Sequence, residues 1–230
     1  FGNRVLKGPY AFSASGRVPT SPTPNAFFAR AGSFTAGGDG TIIAGLEAPN
    51  QPGTPSPARQ QRVFTGSYSI GADGRGTMQF CEDISSPCTS GAATAFFRVV
   101  VVSPQQAQII EFSSPTTTSA TISTGGEIIS QDQTIFGAGN GNLVGTYSFS
   151  FGGVSPALSA ESVIGEFTAD GHGIISADGA ATPGKMDFNP GGQQALSAST
   201  TYLISSNGRG TVTLGSLTFA FYMISASRAK

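Results

Sequence analysis

Residues 32–40 read GSFTAGGDG, and residues 165–173 repeat the pattern as GEFTADGHG. In both copies apolar and polar side chains alternate and then run into a glycine-rich segment, as expected for a strand that ends in a tight hairpin. Residues such as Asp39 and Gly40 tolerate the positive φ angles that these turns require. The stretch therefore predicts a β-strand followed by a tight turn, and its recurrence indicates a repeated β unit.

The repeat extends over most of the chain, because three further blocks recur in the same order. They are LKGPYAFS at 6–13 and LVGTYSFS at 143–150, DGRGT at 73–77 and NGRGT at 207–211, and FRVVVVS at 97–103 and FAFYMIS at 219–225. We predict a first β domain with a C-terminal linker at residues 1–142 and a second domain at residues 143–230. The second copy stops at Lys230, where the last strands of the first copy would begin, so the second domain is expected to be truncated.

Alternation with a period of two predicts an all-β fold made of antiparallel strands. In the first copy the predicted strands cover residues 10–15, 27–36, 41–47, 62–70, 76–81, 94–102, 107–112 and 120–130. Strands in this order indicate an up-and-down meander, which forms either a β-barrel or a two-sheet sandwich. In a meander the tight turns share one end. The long connections share the other end, near residues 17–25, 48–60, 81–88, 113–119, 152–160 and 179–195.

The composition excludes several classes of function. Lys and Arg total 12 and Asp and Glu total 13, which gives a net charge of −1, and 11% of the 230 residues are charged. Average proteins have about 25% charged residues. A chain this close to neutral lacks the basic surface that binds nucleic acid or anionic lipid. No stretch reaches about 18 apolar residues, so no transmembrane helix is predicted.

Cys81 and Cys88 allow three interpretations: a disulfide that staples a loop, two free thiols, or part of a metal site. Their spacing suits the two ends of a closed loop, which favours the disulfide. A metal site would need a second pair of ligands, and the single histidine, His172, is far away in sequence. A disulfide, low charge and a surface rich in Ser, Thr and Gly favour an extracellular or cell-surface location.

The sixth strand of each copy is apolar on both faces, whereas a barrel strand that faces solvent should alternate. Three explanations remain open: a central strand covered by a loop or by the other domain, a contact between subunits, or an apolar ligand groove. The candidate interface residues on the two strands are Phe97, Val99, Val101, Phe219, Phe221 and Met223.

No set of residues forms a catalytic motif, the carboxylates are scattered, and no cofactor or metal is predicted. His172 lies in a Gly-His-Gly turn, which favours a structural role over that of a general base. Asp39, Asp73 and Asp170 lie in glycine-rich turns that look like calcium loops, but each is isolated, whereas calcium takes six or more oxygen ligands. Hairpin turns are therefore the preferred interpretation, with calcium binding as the alternative.

The succession of Leu-x-Gly-x-Tyr-x-Phe, Gly-x-Phe-Thr-Ala-x-Gly-x-Gly and Asp/Asn-Gly-Arg-Gly-Thr resembles an uncharacterised β-repeat of bacterial secreted and lipid-anchored surface proteins. The resemblance implies a cell-envelope or extracellular location and a tandem arrangement of repeats. It implies no activity and transfers no functional residues.

Together these features favour a non-enzymatic extracellular structural protein that self-assembles into a filament or surface layer, or that serves in adhesion or display. Self-association would use the apolar sixth strands or strand exchange between subunits. The alternative is a β-barrel module that binds a small ligand or glycan at the long-loop end. A hydrolase is least favoured, because the chain has one histidine.

Overall fold

The computed structural model describes residues 1–18, 26–50, 61–82, 88, 93–112, 123–154, 160–176, 184–189, 191–196, 200–214 and 217–230. Within these ranges the protein is all-β, as predicted, with short 3-10 turns beside the strands. It divides into two compact units, Phe1–Asp132 and Gln133–Ala229. The second unit thus begins before the predicted domain start at residue 143.

The first unit is a closed barrel whose strands follow one another around the barrel in sequence order. The strands are β1 (Lys7–Val18), β2 (Ala26–Gly37), β3 (Thr41–Asn50), β4 (Arg62–Ile70), β5 (Arg75–Cys81), β6 (Ala95–Ser103), β7 (Gln106–Phe112) and β8 (Ser123–Ser130). Antiparallel pairing of β8 with β1 closes the sheet and removes its free edges. The eight strands predicted in the first copy are confirmed, and the barrel is the architecture that forms in this unit.

Aromatic side chains fill the interior of the first barrel. The rings of Phe12, Phe34, Phe64, Phe80 and Phe97 contact one another in pairs, with centroids 4.1–6.2 Å apart. All five side chains are buried. A barrel of eight strands is just wide enough for its own side chains to fill it. In the described residues, the middle of this barrel is therefore a packed core.

Two glycines make room for these rings inside the barrel. A Cβ atom at Gly32 would lie 2.4 Å from the Phe12 ring, and one at Gly45 would lie 2.2 Å from the Phe64 ring. Strand register places Gly32 opposite Phe12 and Gly45 opposite Phe64. Each ring therefore lies over the backbone of the neighbouring strand, where a side chain would collide with it.

The two ends of the barrel differ, as the sequence predicts. Turns at residues 38–40, 71–74 and 104–105 form the end that we call the tight-turn end. The opposite end, which we call the long-loop end, has the strand termini that flank the connections at residues 19–25, 51–61, 82–94 and 113–122. Any side chain near those termini is therefore placed close to the longest connections of the unit.

The second unit contains two smaller antiparallel sheets. The first sheet contains β9 (Val144–Val154), β10 (Ala160–Asp170), β11 (Ile175–Ser176), β12 (Gly184–Asn189) and β13 (Gly192–Ala195). The second contains β14 (Tyr202–Ile204), β15 (Arg209–Leu214), β16 (Leu217–Ser225) and β17 (Arg228–Ala229).

Strand register shows how the second unit repeats the first. Tyr147 lies opposite Phe167 in β9 and β10, as Tyr10 lies opposite Phe34 in β1 and β2. The single strand β3 is matched by two shorter strands, β11 and β12, which both pair with β10. The long connection predicted at residues 179–195 is therefore wrong in part, because β12 and β13 lie within it.

Both units begin with a similar short segment. The Oδ1 atoms of Asn3 and Asn140 each accept a backbone N–H, from β4 at 2.8 Å and from its counterpart β14 at 2.7 Å. The rings of Phe1 and Phe136 pack over the turn that follows these strands, where a glycine leaves space for the ring. The second repeat thus starts ahead of residue 143, which explains why the division between the units comes before Gln133.

Candidate functional site

Cys81 and Cys88 form a disulfide, with their Cα atoms 5.5 Å apart. This confirms the first of the three interpretations of the cysteine pair. Cys81 is the last residue of β5 and is fully buried. The disulfide therefore ties the connection between β5 and β6 to the long-loop end of the barrel.

The candidate interface residues of the first copy lie inside the barrel. Phe97, Val99 and Val101 are at most 5% exposed and belong to the apolar core. Their side chains therefore face the barrel interior and are not available to another subunit. The residues between them, Val100 and Val102, face outward and are 48% and 57% exposed. A surface that uses this strand must use these outward residues.

The corresponding strand of the second unit, β16, buries apolar side chains on both faces. Met223 belongs to the core of the unit, and Phe219 and Phe221 pack against that core. On the opposite face, Tyr222 and Ile224 are also buried. The continuous apolar run of this strand therefore does correspond to burial on two sides.

His172 and the turn aspartates are held within their own turns. Asp170 Oδ1 accepts the backbone N–H of His172 at 2.7 Å and that of Ile174 at 2.9 Å. The hydrogen bond from Ile174 is the largest effect that lowers the pKa of Asp170. Hydrogen bonds from the residue two positions later likewise lower the pKa of Asp39 and Asp73. Each carboxylate is thus engaged in closing a hairpin.

A buried ionic cluster, unmarked by any motif, occupies the long-loop end of the first barrel. Arg30 on β2 places Nη1 3.0 Å from Glu47 Oε2 and Nη2 2.9 Å from Glu111 Oε1. Thr124 donates from Oγ1 to Glu111 Oε2 at 3.2 Å. All four residues are at most 6% exposed. The cluster joins four strands, β2, β3, β7 and β8, just beneath the strand termini.

Aromatic rings confine the guanidinium group of this cluster. Arg30 Cζ lies 5.1 Å from the ring centroid of Phe28 and 5.7 Å from that of Phe97. A guanidinium group at this distance is attracted to the ring faces. Its Nε atom is buried and has no hydrogen-bond partner among the described residues. The guanidinium group of Arg30 is therefore held in place by two aromatic rings and by two carboxylates.

Burial raises the pKa of both glutamates in the cluster. For Glu47 and Glu111 the loss of hydration is the largest effect, and the neighbouring charge of Arg30 opposes it. The negative charge of Glu82 raises the pKa of Glu47 further, and that of Glu47 raises the pKa of Glu111. Both carboxyl groups therefore hold a proton more tightly than an exposed glutamate does.

A second ion pair extends the cluster toward solvent. Arg62 Nη1 lies 2.9 Å from Glu82 Oε1, and both side chains are about a third exposed, at 34% and 35%. Arg62 begins β4, and Glu82 directly follows β5, so the pair lies at the same end of the barrel. We call the five residues of the two groups the charged layer: Arg30, Glu47, Arg62, Glu82 and Glu111.

The second unit has apolar residues where the buried part of the charged layer would be. Register places Val163 at the position of Arg30 and Met186 at the position of Glu47. Both are buried, at 2% and 0% exposure. The pairing of the second and third strands of the repeat therefore accepts apolar side chains at these two positions, in a unit that contains two sheets in place of a closed barrel. Replacing a buried ion pair by apolar residues is often neutral or stabilising, so stability alone does not account for the charges in the first unit.

One sequence signal marks this cluster, although no motif does. Glu47 does not carry it, because β3 is irregular between Ile42 and Gly45, and alternation from the buried Ile42 would place Glu47 outside. Arg30 and Glu111 each continue the inward-facing series of a predicted strand, where the neighbouring inward residues are apolar. A charged residue in such a series is either misplaced or paired inside the barrel. Which residues pair across the interior depends on barrel closure, and the sequence alone left barrel and sandwich open.

The predicted glycan or ligand site at the long-loop end falls largely outside the described residues, because residues 19–25, 51–60 and 113–122 are not among them. In the ranges that are described, no three His, Cys, Asp or Glu side chains are grouped so that they could hold a metal ion. Those ranges also contain no helix with the length and apolar character needed to cross a membrane. Comparison of the chain with protein-family models, with curated proteins and with solved structures finds no match.

Proposed function

We propose that this chain is a non-enzymatic extracellular surface protein whose first barrel displays recognition loops, for adhesion or surface display. The observation that carries the proposal is the arrangement of the barrel. Its four long connections leave from one end, whereas the connections between strands at its other end are tight turns. Loops on a rigid scaffold are the usual place for recognition, since they change without disturbing the core.

The interior of the barrel supports binding at the rim in preference to binding inside. The five phenylalanine rings occupy the middle of the barrel, and the charged layer above them is already paired. A ligand inside the barrel would have to displace these contacts. A glycan or a protein partner is therefore expected to contact the long-loop end from outside.

The disulfide supports the extracellular part of the proposal. Disulfides persist in oxidising compartments and are rare in the cytosol. The Cys81–Cys88 bond lies at the long-loop end, where it restrains one of the connections that would carry recognition. The low content of charged residues, 11%, agrees with this location but does not identify a partner.

Loop replacement in the full chain tests the display function. Residues 51–60 are replaced by a Gly/Ser linker of the same length, and Asp73→Asn at the tight-turn end is the matched control. The three proteins are applied to a glycan array and to whole bacterial cells. We expect the wild type and the control to bind and the loop variant to lose at least about tenfold in affinity, with thermal unfolding unchanged. Equal binding by the loop variant, or no binding by the wild type, contradicts the proposal.

Self-association is a second candidate function, favoured by exposed apolar side chains on the outside of β6 and β7. Val100, Val102 and Ile110 face outward there and are 48–57% exposed. At the equivalent outward positions of the second unit, the side chains of Tyr222 and Ile224 are buried. The outward face of the sixth strand is thus a packing surface in the second unit. We infer that a second molecule of this chain covers the same face in the first unit. Strand exchange at β9, which pairs with β10 alone in the described residues, is another route to assembly.

The native mass of the protein tests self-association. Light scattering and electron microscopy of the wild type are compared with a double variant, Val100→Thr with Val102→Thr, which keeps the side-chain shape but adds hydroxyl groups. Val63→Thr, at another outward position that is 45% exposed, is the control. We expect dimers or filaments for the wild type and the control, and monomers for the double variant. A monomeric wild type contradicts this second function and leaves the display function in place.

A further inference from the structure

The charged layer has more negative than positive groups. It contains three carboxyl groups and two guanidinium groups, so it carries one excess negative charge when every group is ionised. The excess belongs to the buried part, where Glu47 and Glu111 share the single guanidinium of Arg30. A buried charge without a counter-charge is costly, and uptake of one proton would remove it.

Among the described residues, no cation outside the layer faces the buried cluster. Beyond the five residues of the layer, β8 contributes the neutral Thr124. Ala14 of β1 lies opposite Arg30 in register, and the inward residues of β6 at this level are Ala95 and Phe97. Arginine stays protonated at all accessible pH values. The proton therefore goes to Glu47 or Glu111.

We propose that the charged layer is a proton-binding site that regulates the loop-bearing end of the first barrel. With one proton bound, the buried cluster is neutral and holds β2, β3, β7 and β8 together at their ends. Without that proton, the excess charge loosens those strand ends. This inference rests on the proposed display function, because the end that it regulates is the one that carries the long connections.

Two observations support the proposal beside the charge count. Burial raises the pKa of Glu47 and of Glu111, so the proton is retained to a higher pH than on an exposed glutamate. In addition, the second unit, which contains two sheets in place of a closed barrel, fills the positions of Arg30 and Glu47 with Val163 and Met186, so the pairing of these two strands does not require charges there. A titratable cluster that this strand pairing does not require is suited to sensing pH.

Hydrogen exchange of the full chain at two pH values tests the inference. Protection of each amide is corrected for its intrinsic exchange rate and compared at about pH 5 and about pH 7.5. We expect protection at residues 28–31, 46–48 and 109–111 to fall about tenfold at the higher pH, because deprotonation favours the open state. Protection at residues 68–78, toward the tight-turn end, should not change. Equal protection at both pH values, or an equal change at both ends, overturns the proposal.

Isosteric variants supply the matched controls. In Glu47→Gln with Glu111→Gln the protection at the long-loop end should become independent of pH, whereas Asp39→Asn with Asp73→Asn at the tight-turn end should keep the wild-type response. If the first double variant fails to fold, carboxyl ¹³C NMR titration of the wild type decides. Titration of both Glu47 and Glu111 at ordinary glutamate values refutes the site. These readouts involve no ligand, so loss of the display function in the loop-replacement experiment is a separate outcome.

Discussion

The hairpin between the second and third strands is closed by a carboxylate in both units, yet the aspartate comes from different positions of the repeat. Asp39 Oδ1 accepts the N–H of Thr41 at 2.9 Å, and Asp170 Oδ1 accepts that of Ile174 at 2.9 Å. Asp170 corresponds to Gly37, and a Cβ atom at Gly37 would lie 2.7 Å from Asp39 Oδ1. The two carboxylates thus occupy the same region, so the copies preserve the hydrogen bond and not the position of the residue.

A tyrosine hydroxyl ties the first segment of each unit to the strand that carries the tyrosine, which is β4 in the first unit and β14 in the second. Tyr68 donates to the Leu6 carbonyl oxygen at 2.6 Å and accepts the N–H of Gly38 at 3.0 Å. Tyr68→Phe leaves both backbone groups without this partner, so we expect a loss of about 1–3 kcal/mol in the free energy of unfolding. Urea unfolding followed by circular dichroism measures it. Tyr147→Phe, which removes an exposed hydroxyl, is the control and should cost less than half as much.

Arg30 is the residue on which the charged layer depends most. Arg30→Met removes the partner of two buried carboxylates, so we expect a loss of about 3–5 kcal/mol in the free energy of unfolding near pH 7. Urea unfolding curves at several pH values measure the loss. A loss below about 1 kcal/mol would show that the guanidinium does not stabilise the carboxylates.

The pH dependence of this loss has a definite sign. The pKa of Glu47 and of Glu111 is raised in the folded protein, so the folded state binds more protons than the unfolded state between the ordinary glutamate value of 4.5 and the raised value. The stability that proton uptake adds is fully present below pH 4.5 and is lost as pH rises through the folded pKa. The Arg30→Met variant should therefore recover stability on acidification toward about pH 5, and a loss that grows on acidification would contradict this sign.

At the scale of a strand, close approach of the backbone limits which side chains fit. A Cβ atom at Gly32 would lie 2.4 Å from the Phe12 ring and 2.5 Å from the Leu46 carbonyl oxygen. Gly32→Ala should therefore cost about 1–3 kcal/mol in the free energy of unfolding. Gly125→Ala in β8 is the matched control, since nothing lies within 4 Å of its Cβ position, and it should be near neutral. Urea unfolding distinguishes the two, and equal losses would contradict the packing argument.

The strands of the first unit are predictable because their local pattern and their environment agree. β4 alternates between buried and more exposed positions from Phe64 to Ile70, in step with its apolar and polar residues, and glycine-rich turns separate the strands. The second unit departs from this where β3 is matched by the short strands β11 and β12, with an insertion between them at residues 177–183. Insertions interrupt the alternation, so the strands on either side become too short to recognise from periodicity.

The candidate site was less predictable than the strands, for a physical reason. The inward position of Arg30 follows from alternation along β2, but its contact with Glu111 joins two strands that are far apart in sequence. That contact exists only because the barrel closes through β8 and β1. Alternation also separates Val99 from Val100, although the two look equivalent within an apolar run. Val99 faces the barrel interior, and Val100 faces outward.

At the scale of the whole molecule, the chain contains two versions of one structural unit. The first has a charged layer at its long-loop end, and the second has apolar residues at the matching positions of Arg30 and Glu47. The same pair of strands thus carries ionic side chains inside a closed barrel in the first unit and apolar side chains in a smaller sheet in the second. Because the apolar solution is the ordinary one for a barrel interior, the ionic version points to a role beyond stability.

Introducing the apolar residues of the second unit at the matching positions of the first unit tests that argument. Arg30→Val with Glu47→Met introduces the residues of the second unit, and Glu111→Leu removes the remaining buried carboxyl group. Because the substitutions remove every unpaired charge together, we expect the triple variant to equal the wild type near pH 7 or to exceed it by about 1–4 kcal/mol in the free energy of unfolding. Its stability should also vary less than that of the wild type between about pH 5 and pH 7. Urea unfolding at both pH values measures this. A loss of several kcal/mol at both values would mean that the charged layer is required for the barrel to fold, which would remove the argument for a regulatory role.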